Sequence, residues 1–150
     1  MFRITQSFLV NAFAAQIKRE NWNVLFTDFV NARRSGASSQ GAMNYCFESI
    51  FDRFPDVVAV KDAVMLVAEV DLSYKELYVK KLRTFQSRKE DIFQCARSML
   101  DLDIKFLALG LAFLRKPPIS VARADDFSIW LYDPKREEFR VYKQACLGFP

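Results

Sequence analysis

Two short apolar runs separated by one polar pair constrain this chain more than any other feature. PDVVAV is followed by Lys61 and Asp62, and AVMLVAEVD comes directly after. Only a tight turn fits between the runs, so they predict neighbouring strands of one hairpin over residues 57–60 and 63–70. Their nearly continuous apolarity is the pattern of strands covered on both faces, as in the centre of an α/β sandwich. Acids bracket the hairpin: Asp56 opens its first strand, and Glu69 and Asp71 end its second. Pairing the strands brings Asp56 and Glu69 together on one face. Carboxylates so placed repel unless a proton or a cation lies between them, so the arrangement reads first as a hard divalent-metal site.

The whole chain narrows the chemistry further. Its 150 residues make one domain, 1–150, with room for a substantial core. A hydrophobic fraction of 51% with few Gly and Pro argues for a globular fold rather than disorder. Histidine is absent, which removes Ser-His-Asp and Cys-His catalysis, His-ligated zinc and imidazole general bases together. Cys46, Cys95 and Cys146 lack metal-ligand spacing and are too few for a disulfide framework. They read as buried thiols of a cytoplasmic or other reducing intracellular protein. No leader cleavage site is evident at the N-terminal stretch, and no apolar run approaches membrane-spanning length. The net charge of +4 is compatible with an anionic partner.

Along the chain, residues 7–19 carry a helical stripe of Phe8, Leu9, Ala12, Phe13 and Ile17, with Thr5 or Ser7 as N-cap and Glu20 at the helix end. Residues 22–30 read as a strand. Residues 31–44 hold two of the four glycines without periodicity and read as a basic loop carrying Arg33 and Arg34. Residues 45–54 fit a short helix or a strand leading to Pro55. Beyond the hairpin, Ser73 and Glu76 form a capping-box pattern ahead of a helix with a Tyr74, Tyr78, Leu82 and Phe85 stripe, helped by Leu77. Lys80, Lys81 and Arg83 read as lying away from that stripe. A second helix over residues 88–100 follows a Ser87–Glu90 pattern and buries Ile92, Phe93, Ala96, Met99 and Leu100. Residues 106–114 predict another central strand, halted at Lys116-Pro117-Pro118. Three short strands, 119–123, 127–132 and 138–142, make a C-terminal antiparallel extension over about 118–143.

Phosphodiester hydrolysis is chemistry that such a chain can run without histidine. One or two Mg²⁺ ions held by carboxylates stabilise charge around the scissile phosphate and orient water. Asp56 and Glu69 are the candidate ligands; the Val70 carbonyl, between acidic positions, adds an oxygen, and Glu20 offers a further carboxylate. Arg33, Arg34, Lys80, Lys81 and Arg83 are the cations available to neutralise flanking phosphates.

The order helix with Glu20, strand, basic loop, Pro55-Asp56, hairpin, Glu69-Val70-Asp71, helix resembles the PD-(D/E)XK nuclease superfamily, nearest to the small Holliday-junction resolvases. The resemblance covers roughly residues 6–114. It implies a restriction endonuclease-like α/β fold, an αβββαβ core with a central mixed sheet flanked by helices. It also implies Mg²⁺-dependent endonuclease cleavage of DNA and a homodimer. Mn²⁺ is the alternative ion, and RNA is the alternative polymer because phosphate contacts alone do not distinguish the two. Asp56 falls at the motif Asp, Glu69 at the second acid and Glu20 at the acid supplied by the first helix. Ser38, Ser39 and Gln40 fall where the resolvases place a substrate-contacting loop. Asp71 departs from the pattern, because the family has Lys there. Three explanations stand side by side: Lys75, or next Lys80 or Lys81, reaches back into the site; Asp71 is an additional metal ligand beside a second ion; or catalysis is lost and the scaffold binds nucleic acid or a protein partner. An unrelated small α/β interaction protein is the reading outside this family.

Overall fold

The computed structural model describes residues 3–28 and 38–145. Helix α1 (Gln6–Arg19) leads into β1 (Asn23–Thr27), and α2 (Ser38–Phe51) leads into the hairpin of β2 (Val57–Lys61) and β3 (Val64–Asp71). Helices α3 (Glu76–Ser87) and α4 (Lys89–Leu100) follow, then β4 (Phe106–Phe113), the short α5 (Ile119–Ala122), β5 (Phe127–Asp133) and β6 (Glu138–Lys143). The six strands lie in sequence order in one sheet. β1, β2 and β3 are antiparallel, β3, β4 and β5 are parallel, and β6 returns antiparallel on β5. The result is a mixed α/β fold whose central sheet is flanked by helices and ends in an antiparallel pair.

The unbroken apolarity of the central strands is explained by two cores. On one face Met65, Val67, Leu109 and Phe113 pack with Phe47, Leu82, Phe85 and Ile92 of α2, α3 and α4. On the other face Leu66, Ala68, Val70, Ala108 and Ala112 pack with Leu9, Val10, Phe13 and Ile17 of α1. That second face is built from small side chains. At Gly110 an added Cβ would lie 2.9 Å from the Trp130 ring and 3.1 Å from Leu66, so the strand needs glycine there for close packing. Thr5 caps α1 by accepting from the Phe8 N–H, as its position before the stripe predicts.

Several local expectations are corrected. The segment 31–44 is not loop throughout, because α2 begins at Ser38. Its polar first turn and Gly41 mask a stripe of Ala42, Met43, Cys46 and Phe47 that packs as a helix face. Residues 119–122 form a helical turn rather than a strand, since Pro118 presets the backbone entering it. Ser73 does not cap α3; its hydroxyl instead meets the Arg115 guanidinium at 2.8 Å, and Lys75 stands at the N-cap. Ser87 likewise ends α3 instead of capping α4. Leu77 and Met99 are exposed, each lying just off the buried stripe of its helix.

Cys46 of α2 and Cys95 of α4 are joined in a disulfide, where the sequence reads as free thiols. The pairing is a tertiary fact that spacing alone does not carry: the two helices pack side by side and set the residues opposite one another. The sequence case for a reducing compartment rests on free thiols and so loses its premise. Cys146 lies outside the described residues. Among those residues, no helix is long and apolar enough to cross a membrane.

Candidate active site

The register of the hairpin sets Asp56 opposite Glu69. Val57 pairs with Ala68, and one step further the ladder continues through side chains. The Asp56 N–H donates both to the Ala68 carbonyl at 3.0 Å and to Glu69 Oε2 at 2.9 Å. In return the Val70 N–H donates to Asp56 Oδ2 at 2.9 Å. This crossed exchange locks both carboxyl groups at the sheet end, on the face covered by α3. Both are buried, Asp56 to 9% exposure and Glu69 to 1%.

A lysine meets them. Lys81 Nζ lies 2.8 Å from Glu69 Oε1, its side chain only 18% exposed. The reason is helical geometry: Tyr78, Lys81, Leu82 and Phe85 follow i, i+3, i+4, i+7, so Lys81 belongs to the buried stripe of α3 and not to its wet face. Its expected placement away from that stripe is therefore corrected. Lys75 does not reach the pair. It sits at the extended N-cap, 67% exposed, with its ammonium 3.7 Å from Asp71 Oδ2.

Among the described residues one ammonium, that of Lys81, faces the two buried carboxylates. Burial, followed by the charge on Glu69, pushes the Asp56 carboxyl up to about 8, against the pull of the Val70 N–H and Lys81. Burial also raises Glu69, with the Lys81 charge and hydrogen bond opposing it. Asp28, just beyond β1, adds repulsion to both groups, and its N–H donates to the Asp56 carbonyl at 3.0 Å. The pair thus holds a proton near neutrality, or takes a cation in its place.

Asp71 is engaged elsewhere. Its Oδ1 accepts from the Leu72 N–H at 2.7 Å, and its Oδ2 accepts from the Tyr78 hydroxyl. Burial and this hydrogen bond raise the Tyr78 phenol, which stays a donor. Glu20 is not in the site. Its carbonyl accepts from Lys61 at the turn end of β2, five residues from Asp56 or roughly 16 Å along a strand. Its carboxylate accepts from Gln16 on its own helix, on the α1 side of the sheet. The Val70 carbonyl is taken by Gln6 Nε2 at 3.1 Å.

The residues expected to contact nucleic acid divide. Arg33 and Arg34 lie outside the described residues, as does the Ser38 side chain. Ser39 is half-buried in the first turn of α2. Gln40 is buried, its amide pairing with both the N–H and the carbonyl of Thr27 at 3.1 and 3.0 Å. Gln40 thus clamps the end of β1 through both ends of its amide, at 8% exposure. Lys80 is exposed. Arg83 pairs with Asp126 at 3.1 Å and lies over the Phe127 ring.

Sequence reasoning missed Asp28, Tyr78 as a polar partner and Gln6. Lys81 had a readable signal in its three-residue offset from Tyr78; Asp28 and Gln6 had none, since both join the site through tertiary packing. Among the described residues no group of three or more Asp, Glu, Cys or His side chains is arranged to hold a metal ion. The donor set is a carboxylate pair, which is the hard-oxygen minimum on which Mg²⁺ is commonly held with waters and substrate phosphates. Comparison with protein-family models, curated proteins and solved structures finds no match to this chain.

Proposed function

We propose that this protein is a Mg²⁺-dependent DNA endonuclease on a restriction endonuclease-like core, with Asp56, Glu69 and Lys81 at its centre. The observation that carries the reading is the buried cross-strand acidic pair facing the Lys81 ammonium, its Nζ 2.8 Å from Glu69. The antiparallel β1–β2–β3 unit followed by a parallel β4 supports the core that the resemblance implies. Lys81 also answers the departure at Asp71, because it brings the positive charge from the following helix.

Asp56 and Glu69 would hold the ion; the Val70 carbonyl, which accepts one hydrogen bond from Gln6, keeps a second lone pair with which it would join them. When bound, Mg²⁺ supplies Lewis-acid charge at the phosphoryl oxygen. The chain's own residues do the remaining work. Lys81 uses one N–H on Glu69 and has two more with which to orient a water or a phosphate oxygen. Its charge offsets the repulsion between the acidic pair and an anionic substrate. The crossed backbone hydrogen bonds hold both carboxyl groups fixed while this happens, so little reorganisation accompanies the reaction.

The test is cleavage of linear, flap and junction DNA, with RNA alongside, in Mg²⁺, Mn²⁺ or EDTA. Wild-type protein is expected to cut DNA with either metal and not in EDTA, and Asp56→Ala and Glu69→Ala to lose at least about 100-fold in rate, the scale of removing an electrostatic catalytic group. Binding without cutting under every metal would instead leave a nucleic-acid-binding scaffold.

A further inference from the structure

Asp71 stands where the resemblance has lysine, and its partners define another task. Tyr78 donates to its Oδ2, and each of these residues is 8% exposed. Tyr78 is one helical turn before Lys81 on the same buried stripe. Two buried side-chain ties therefore join α3 to β3, beside the exposed Lys75–Asp71 ion pair: Tyr78 to Asp71 at the strand end, and Lys81 to Glu69 two residues earlier. Running in opposite chain directions, they fix both the rotation of the helix about its axis and its position along the strand. No side chain caps α3 and the Lys75–Asp71 ion pair is largely exposed, so the phenol–carboxylate bond is the buried polar anchor of its first turns. A lysine has four rotatable bonds and reaches Glu69 only if its Cα is held in place.

We propose that Asp71 and Tyr78 form a positioning pair that sets Lys81 against Glu69. Asp71 is then neither a metal ligand nor a failed lysine, and it acts through the helix that carries the lysine. This geometry is independent of the endonuclease reading; only its effect on turnover rests on that reading.

The experiment is NMR of the lysine ammonium groups in the full chain, with Lys81 assigned through Lys81→Arg. A buried, ion-paired ammonium exchanges its protons slowly enough to be resolved, whereas exposed lysines do not. Wild-type protein is expected to show the Lys81 signal. Tyr78→Phe and Asp71→Ala are expected to speed its exchange about tenfold or more, the factor matching loss of one hydrogen bond to a charged group. Asp71→Asn keeps an oxygen acceptor for the phenol and is expected to stay near wild type. A purely structural role would lower the melting temperature of Tyr78→Phe while leaving Lys81 exchange unchanged, which overturns the proposal. So does the absence of a slow Lys81 signal in the wild type, or a loss in Asp71→Asn as large as in Asp71→Ala. Should the wild type cut no substrate, the endonuclease reading fails and the ammonium signal still decides this one.

Discussion

Replacing Asp56 by Asn isolates the electrostatics of the centre. The carboxyl ordinarily titrates near 3.8 and is pushed to about 8 in the folded protein. Between these values the folded state holds a proton that the unfolded state has released. Stability from this group is therefore complete below about pH 4 and is lost as pH rises through 8. The limiting slope for one proton is about 1.4 kcal/mol per pH unit. From pH 6 to pH 8 the unfolded carboxyl is fully ionised and the folded one reaches half ionisation, so the loss is about 2 kcal/mol. In a chain of this size that lowers the melting temperature by about 4–8 °C. Asn preserves an oxygen for the Val70 N–H and has no charge to release, so Asp56→Asn should lack this slope and exceed the wild type in stability at pH 8 and above. Urea unfolding of both proteins across pH 5–9, in EDTA, measures the difference. Parallel stability curves for the two proteins would refute the reasoning, because they would mean that Asp56 is ionised beside Glu69 at no cost.

Two further outcomes follow from the packing. Reducing the Cys46–Cys95 bond, or replacing both residues with Ala, releases a loop with a sequence separation of 49 and should lower unfolding free energy by about 4 kcal/mol, measured by denaturation with and without a dithiol reductant. Gly110→Ala drives a methyl group into Trp130 and Leu66 and should cost about 1–3 kcal/mol, with quenched or shifted Trp130 fluorescence as the local report.

The hairpin and its acids were legible in the sequence because each rests on local pattern: two strand-length apolar runs, a two-residue connection and acids at fixed positions. Register then follows, and Asp56 meets Glu69. The lysine was harder. Lys75 is near Asp71 in sequence, yet from the extended N-cap its ammonium meets Asp71 and not the acidic pair; Lys81 is ten residues on and comes back because α3 packs over β3. Counting the stripe finds it, since Lys81 is i+3 from Tyr78 and i+7 from Tyr74. Gln40 shows the opposite failure. Its setting among Ser and Gly suggests a loop, but the apolar stripe beginning at Ala42 pulls the preceding turn into a helix and turns the amide inward. Glu20 failed for a global reason, since α1 covers the other face and its last turn reaches the far end of the hairpin. The disulfide depends on two helices meeting across 49 residues of chain, which no spacing rule encodes.

The central claim is that Lys81, and not Lys75, completes a carboxylate-metal centre with Asp56 and Glu69. Single-turnover cleavage of DNA in Mg²⁺ by Lys81→Ala and Lys75→Ala, compared with the wild type at matched binding, tests it most directly. The Lys81 variant is expected to lose at least about 100-fold in rate and the Lys75 variant to stay within a few-fold of wild type. Loss in Lys75→Ala with Lys81→Ala unaffected, or metal-dependent cutting that survives both changes, would contradict it.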